Sequence, residues 1–301
     1  MTDDVDRIAG APISWGVCEV PGWGYQLPAD QVLGQMSEVG LSATELGPDG
    51  FLPADPDELA DTLAAHHLHA VGGFTPFILH RSDVDPMVEL QRLLPAFTAA
   101  RAGVMVLSAD TGLTGYDNRP ELDDEGWRRL LGNLDRVAGR AAEHGIRAVL
   151  HPHVGTMVET GPDVQRVLEG SSVSLCLDTG HLLIGGTDPA VLAGQAPDRI
   201  AHTHLKDVDL TYARKVQSGR LTYTEAVRDG MYRPLGRGDV DVAAIVQHLR
   251  GNGYDGWYTL EQDTILTEAP AGEGPVADVR TSVEYLRSLL RAGTPDHSSA
   301  S

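Results

Sequence analysis

The sequence predicts a single-domain α/β protein of the (β/α)8 barrel class. Three observations carry that prediction. Eight apolar, strand-like runs alternate with helical patterns, no linker divides the chain, and several of the runs end in side chains able to bind a metal. The length of 301 residues suits one large core, since such barrels typically take about 250 residues as one domain.

Taken in order, strands are expected near 11–16, 42–46, 69–75, 103–108, 146–151, 173–178, 199–205 and 256–261. Helical stretches fall near 28–39, 55–67, 86–101, 124–144, 162–169, 188–195, 239–251 and 278–291. Repeated βα units imply a parallel sheet, and the count of eight selects a closed barrel over an open doubly wound sheet. Punctuation agrees: Asp123, Asp124 and Glu125 open the fourth helix, and His144 and Gly145 close it. Gly40, Gly103, Gly145 and Gly253 each stand between a helix and the next strand, as left-handed caps would. Two segments fall outside the repeat. Residues 206–238 follow the seventh strand, with a short helix expected around 219–229, and the Gly/Pro-rich 262–277 follows the eighth. Long loops on this face commonly act as lids. The barrel is expected over 1–293, with 294–301 as a disordered tail.

Composition narrows the function classes. With 23 basic against 43 acidic side chains the formal charge is −20, and no basic run occurs. Binding to nucleic acid needs clustered Lys and Arg, so that class is disfavoured. No stretch approaches the roughly 18 apolar residues of a membrane span. The acidic opening, Met1 to Asp6, lacks a secretory layout, and a cytoplasmic location is expected. Cys18 and Cys176 are too few for a disulfide framework. The partner expected is a small molecule, with self-association left open.

The chemistry gathers at four strand ends: Val149-Leu150-His151-Pro152-His153, Leu175-Cys176-Leu177-Asp178, Ile200-Ala201-His202-Thr203-His204 and Trp257-Tyr258-Thr259-Leu260-Glu261. Strand C-termini of a closed barrel share one face, so these donors converge. Nitrogen and oxygen ligands suit a divalent ion, Mn2+, Co2+, Fe2+, Mg2+ or Zn2+. Residues two apart point to the same side of a strand. Depth therefore favours His204 over His202 as a ligand, while His151 and His153 stay open alternatives. His181, just past the turn after Asp178, is a candidate acid or base over the mouth. Glu45 and Glu159 are candidate bases or, equally, plain loop carboxylates or carboxylates that orient a ligand His. Lys206 is a candidate donor to an oxyanion. Trp15, Trp23, Tyr25 and Phe51 either wall a polyol pocket or anchor loops.

Asp178 in Leu-Asp-Thr-Gly-His, His204 in His-Thr-His-Leu-Lys-Asp, Glu261 in Thr-Leu-Glu-Gln-Asp and the turn Pro234-Leu-Gly-Arg-Gly-Asp239 resemble the xylose-isomerase-like TIM-barrel superfamily over nearly the whole chain. Within it, the stretches 11–24 (Ala-Pro-Ile-Ser-Trp-Gly onward), 43–53 (Ala-Thr-Glu-Leu-Gly-Pro onward) and His151-Pro-His-Val-Gly-Thr156 resemble the inosose dehydratase family. The superfamily resemblance implies a divalent metal on Glu, Asp, His and Glu from strands five to eight. Asp178, His204 and Glu261 match the last three, and His151 stands where the first Glu would be. His151, His153 or an open position then completes the sphere, and an extra imidazole shifts preference toward softer ions such as Co2+. The reaction implied is dehydration of a cyclic polyol ketone, 2-keto-myo-inositol, to a trihydroxycyclohexane-dione in inositol catabolism. The alternatives are a metal-dependent sugar or ketose isomerase or epimerase, and a non-catalytic sugar-binding barrel.

Overall fold

A computed structural model describes residues 4–292. Eight parallel strands close in the order β1-β10-β7-β6-β5-β4-β3-β2. They are β1 Ile8–Gly10, β2 Ala43–Glu45, β3 His69–Phe77, β4 Val104–Ala109, β5 Arg147–Leu150, β6 Ser174–Asp178, β7 Ile200–Leu205 and β10 Tyr258–Leu260. Closure runs through β1, which pairs Ile8 with Tyr258 on one side and Ala9 with Ala43 on the other. The intervening β8 (Asp207–Val208) and β9 (Tyr232–Arg233) form a small antiparallel ribbon beside the barrel mouth.

Each strand has two faces of different chemistry. Met105, Leu107, Leu150, Leu175, Leu177 and Leu205 join helix residues such as Leu130, Val167, Ile245 and Leu286 in one continuous outer core. On the other parity, Val149 lies two residues before His151, Cys176 two before Asp178, and Ala43 two before Glu45. These small side chains belong to two minor clusters, Val106, Val149, Cys176 and Ala201, and Ala9, Ala43 and Val71. Apolar packing beneath the strand ends leaves the polar residues on top as the floor of the mouth.

The helices start where short polar side chains accept orphan backbone N–H groups. Asp55 caps α2 (Pro56–Ala65), Asp123 caps α4 (Asp124–Ala142), and Thr160 with Asp163 forms a capping box on α5 (Gly161–Gly170). Among the described residues no helix is long and apolar enough to cross a membrane.

Four expectations need correction. The first strand lies at Ile8–Gly10, not 11–16, because Pro12 offers no ladder donor and instead opens a 3-10 turn over Pro12–Trp15. Gly103 is not in the left-handed region; Arg101 takes that conformation at the same helix-to-strand junction, with φ 53°. Two short helices were not foreseen, α6 (Thr179–Ile184) and α8 (Leu210–Gln217). The helix expected around 219–229 is the shorter α9, Tyr223–Arg228. The tail expected over 294–301 lies outside the described residues.

The Pro234 to Asp239 turn has a concrete cause. Asp207, buried at the start of the ribbon, accepts from the backbone N–H of Gly236, Gly238, Val240 and Val208 at 2.8–3.0 Å. A Cβ at position 238 would stand 2.3 Å from Asp207 Oδ1, and Gly236 has φ 80°. Both glycines are therefore required for the turn to wrap one carboxylate.

Candidate metal centre and its surroundings

His151 follows β5, Asp178 ends β6, His204 lies on β7 and Glu261 follows β10. Their donor atoms all lie within 4.8 Å of one another. Asp178 divides its carboxylate between two tasks. Oδ1 caps α6 by accepting from the N–H of Gly180 (2.9 Å) and His181 (2.7 Å). Oδ2 faces the cluster, 3.1 Å from His151 Nε2 and 3.7 Å from His204 Nδ1.

Glu45 sets the ring of His204. Its Oε1 takes hydrogen bonds from His204 Nε2 (2.9 Å) and His202 Nε2 (2.8 Å). With Nε2–H spent on Glu45, Nδ1 of His204 is directed at the cluster, which is how a metal-binding imidazole is usually oriented. Burial alone would raise the Glu45 carboxyl, but His204 and His202 outweigh it and hold the carboxyl at about 2. His202 thus sits below the cluster, also bonded to Thr259 Oγ1 at 3.2 Å.

A divalent cation fits this donor set on a specific observation. His204 Nδ1 and Glu261 Oε2 are close neighbours, yet both are buried without a hydrogen-bond partner. Buried polar atoms normally find partners, and these two stand against each other, held by a proton on the imidazole that Glu261 and Glu45 favour; a divalent ion would take that proton's place.

Beside the cluster stands a stacked pair of neutral imidazoles. His153 and His181 have ring centroids 3.7 Å apart at 30°. His153 donates from Nδ1 to the Val154 carbonyl at 2.7 Å, which leaves Nε2 as an acceptor. His181 accepts the Val154 N–H on Nδ1 at 3.3 Å, which leaves Nε2 as a donor. The hydrogen-bond pattern therefore assigns opposite tautomers to the two rings. Burial, reinforced by neighbouring His and Lys206, keeps both pKa values well below the usual imidazole range.

Lys206 is buried with Nζ 3.3 Å from Glu261 Oε1, 3.7 Å from Asp178 Oδ2 and in closest contact with Asp263 Oδ1. Burial would lower its pKa, but Asp263, Glu261 and Asp178 raise it well above the ordinary value, so the ammonium is retained. A cavity of about 570 Å³ opens beside these groups; Glu45, His153, Lys206, Glu261 and Asp263 line its polar side, Trp23, Phe74 and Phe97 are among the apolar residues, and His151, Asp178, His181 and His204 lie behind that lining. Trp15, by contrast, is fully buried and donates to Gln35, and Tyr25 is exposed. Glu159 is not among the lining residues; it accepts from the Gly155 N–H at 2.9 Å and lies 3.9 Å from Arg119. Sequence reasoning assigned nothing to Asp263, Tyr116 or Tyr223. Asp263 shares strand parity with Glu261, which was a usable signal. Tyr116 comes from the loop after β4 and Tyr223 opens α9 in the excursion after β7, and neither carries such a signal. Tyr116 reaches His153, with centroids 4.3 Å apart, and donates to Glu19 across the mouth.

Comparison with known proteins places this architecture. The family model described as xylose isomerase-like TIM barrel matches residues 33–289. The chain belongs to that family. Its relatives include the rhizopine catabolism protein MocC of Rhizobium meliloti, 34% identical over 85% of this chain and 81% of that protein. An inosose dehydratase of Lacticaseibacillus casei is 30% identical over 93% of this chain and 96% of its own length. Among solved structures, the IolI protein with a binding zinc atom superposes with a TM-score of 0.71 at 15% identity, covering 96% of this chain and 99% of IolI. At that identity the likeness concerns the fold. Within the family this chain is inosose dehydratase-like in sequence along nearly its whole length.

Proposed function

We propose that the protein is a metal-dependent hydro-lyase that removes water from a cyclic polyol ketone, with 2-keto-myo-inositol as substrate and a trihydroxycyclohexane-dione as product. The observation that carries the metal is the buried four-residue donor cluster, with His204 Nδ1 and Glu261 Oε2 in close contact at its centre and neither in a regular hydrogen bond. The zinc in IolI supports a divalent ion in this fold, and the donors here suit Zn2+, Mn2+ or Co2+. The full-length likeness to inosose dehydratases supports the substrate. His151, Asp178, His204 and Glu261 would hold the ion. When bound, it supplies Lewis acidity that polarises the ketone and favours loss of the neighbouring proton.

The chain's own residues divide the remaining work. His153 Nε2, the free acceptor, takes the proton from the carbon beside the ketone. The Lys206 ammonium faces the negative charge that grows on the carbonyl oxygen. His181 Nε2–H, the free donor, gives its proton to the hydroxyl one carbon further on, the C–O bond breaks, and water leaves. The resulting enol returns to a ketone, which makes the dione. Glu45 acts through His204 by fixing its ring. Asp178 keeps α6, and so His181, against the centre.

Product analysis in deuterated water tests this reading. With 2-keto-myo-inositol and the metal-loaded protein, loss of one water and a new dicarbonyl absorbance are expected. Deuterium gained without mass loss would replace the dehydratase with an isomerase or epimerase. Binding with neither would leave a sugar-binding barrel.

A further inference from the structure

Lys206 poses a problem for any cation at this centre. Its ammonium has three donors, and two of the carboxylates in reach, Glu261 at 3.3 Å and Asp178 at 3.7 Å, are members of the donor cluster. Resting on them, the ammonium would repel a divalent ion and occupy the lone pairs that the ion needs. The shortest contact of Nζ is elsewhere, on Asp263 Oδ1, and Asp263 is not a member of that cluster.

Asp263 is itself held from behind. Its second oxygen, Oδ2, accepts from the Tyr223 hydroxyl, and Tyr223 in turn lies 3.1 Å from the Tyr232 hydroxyl. The Tyr232 ring also stands 5.3 Å from Lys206 Nζ, an arrangement that stabilises a cation on that side. Both tyrosines are buried, and both come from the excursion after β7: Tyr223 opens α9 and Tyr232 lies in the ribbon. The shortest contact of Nζ is therefore to a carboxylate outside the donor cluster, and of two tyrosines from the excursion after β7, Tyr223 braces that carboxylate and Tyr232 faces the ammonium.

We propose that Asp263, braced by Tyr223, is a positioning residue that draws the Lys206 ammonium off Glu261 and Asp178 and so reserves those two carboxylates for a divalent cation. The inference rests on the metal-centre reading above. A plain structural role, neutralising one buried lysine, makes a different forecast. It ties the loss of Asp263 to stability and leaves cation affinity alone.

Zn2+ affinity of the chelator-stripped protein, measured by competition with a chromophoric chelator, separates the two. Asp263→Asn is expected to weaken binding about 10–100-fold, the range seen when the partners that orient metal ligands are removed. Tyr223→Phe, which keeps every charge, is expected to weaken it several-fold. The decisive variant is the double Lys206→Met/Asp263→Asn, which removes the displaced ammonium and should bind Zn2+ at least as tightly as the parent. Thermal melts by circular dichroism identify any variant that fails to fold. If Asp263→Asn is lost that way, Tyr223→Phe and the double variant decide. Parent-like affinity in Asp263→Asn or Tyr223→Phe, or a double variant as weak as Asp263→Asn, overturns the proposal while the metal centre stands. A parent that takes up no Zn2+ removes the centre and the proposal with it.

Discussion

At the residue scale, one carboxylate shapes the site from outside the four-residue donor cluster: Glu45 binds Nε2 of His204 and thereby turns Nδ1 toward Asp178 and Glu261. Glu45→Gln is expected to lower metal affinity about 10–100-fold by losing that orientation, read as weaker competition against a chelator. His181→Gln is expected to lower kcat by about 10²–10⁴ with little change in metal content, since in the proposed mechanism its Nε2–H would serve the leaving hydroxyl, and His181 is not among the clustered donors. Steady-state kinetics and metal analysis on the same preparation check both halves. The convergence of His151, Asp178, His204 and Glu261 was legible before folding, because metal-binding side chains at successive strand ends have few other reasons to recur. The choice between His151 and His153 was not legible, since strand parity makes the two equivalent. Their contacts separate them: His151 Nε2 stands 3.1 Å from Asp178 Oδ2 within the donor cluster, while His153 Nδ1 donates to the Val154 carbonyl.

At the element scale, the connection after β7 shapes the site more than any helix of the repeat. Asp207 gathers four backbone N–H groups, fixes the turn around Gly236 and Gly238, and anchors the ribbon that brings Tyr232 beside Lys206. Gly238→Ala would press a methyl against Asp207 Oδ1 and is expected to cost about 1–3 kcal/mol, measured as a lower midpoint in urea. Unchanged stability there would mean that the carboxylate does not organise the turn. The barrel helices were readable from period and caps, as Asp123 at the head of α4 illustrates. Helices α6 and α8 were not, because each is short and belongs to the loops of the mouth, where local hydrogen bonds outweigh hydrophobic period. The first strand was misplaced for a related reason: apolar content extends past Gly10, and only Pro12 marks where the ladder stops.

At the scale of the whole molecule, the strand ends converge only because β1 joins β10 to β2 and closes the sheet. A bound cation would tie together β6 and β7 and the residues just past β5 and β10, so it should stabilise the barrel as a unit. Metal at about 100 times its dissociation constant adds roughly 2.7 kcal/mol, and the thermal midpoint of the loaded protein is expected to exceed that of the chelator-stripped form. The net charge of −20 enters differently. A polyol ketone is uncharged, so kcat/KM should vary little with ionic strength, whereas an anionic substrate would show strong dependence. The most direct test of the central claim joins metal content to chemistry in one experiment. Chelator-stripped protein, metal-reloaded protein and Glu261→Gln treated alike are each assayed for bound divalent ion and for water lost from 2-keto-myo-inositol. One ion per chain with dione formed by the reloaded parent alone is the expected result; equal turnover by the stripped protein would contradict it.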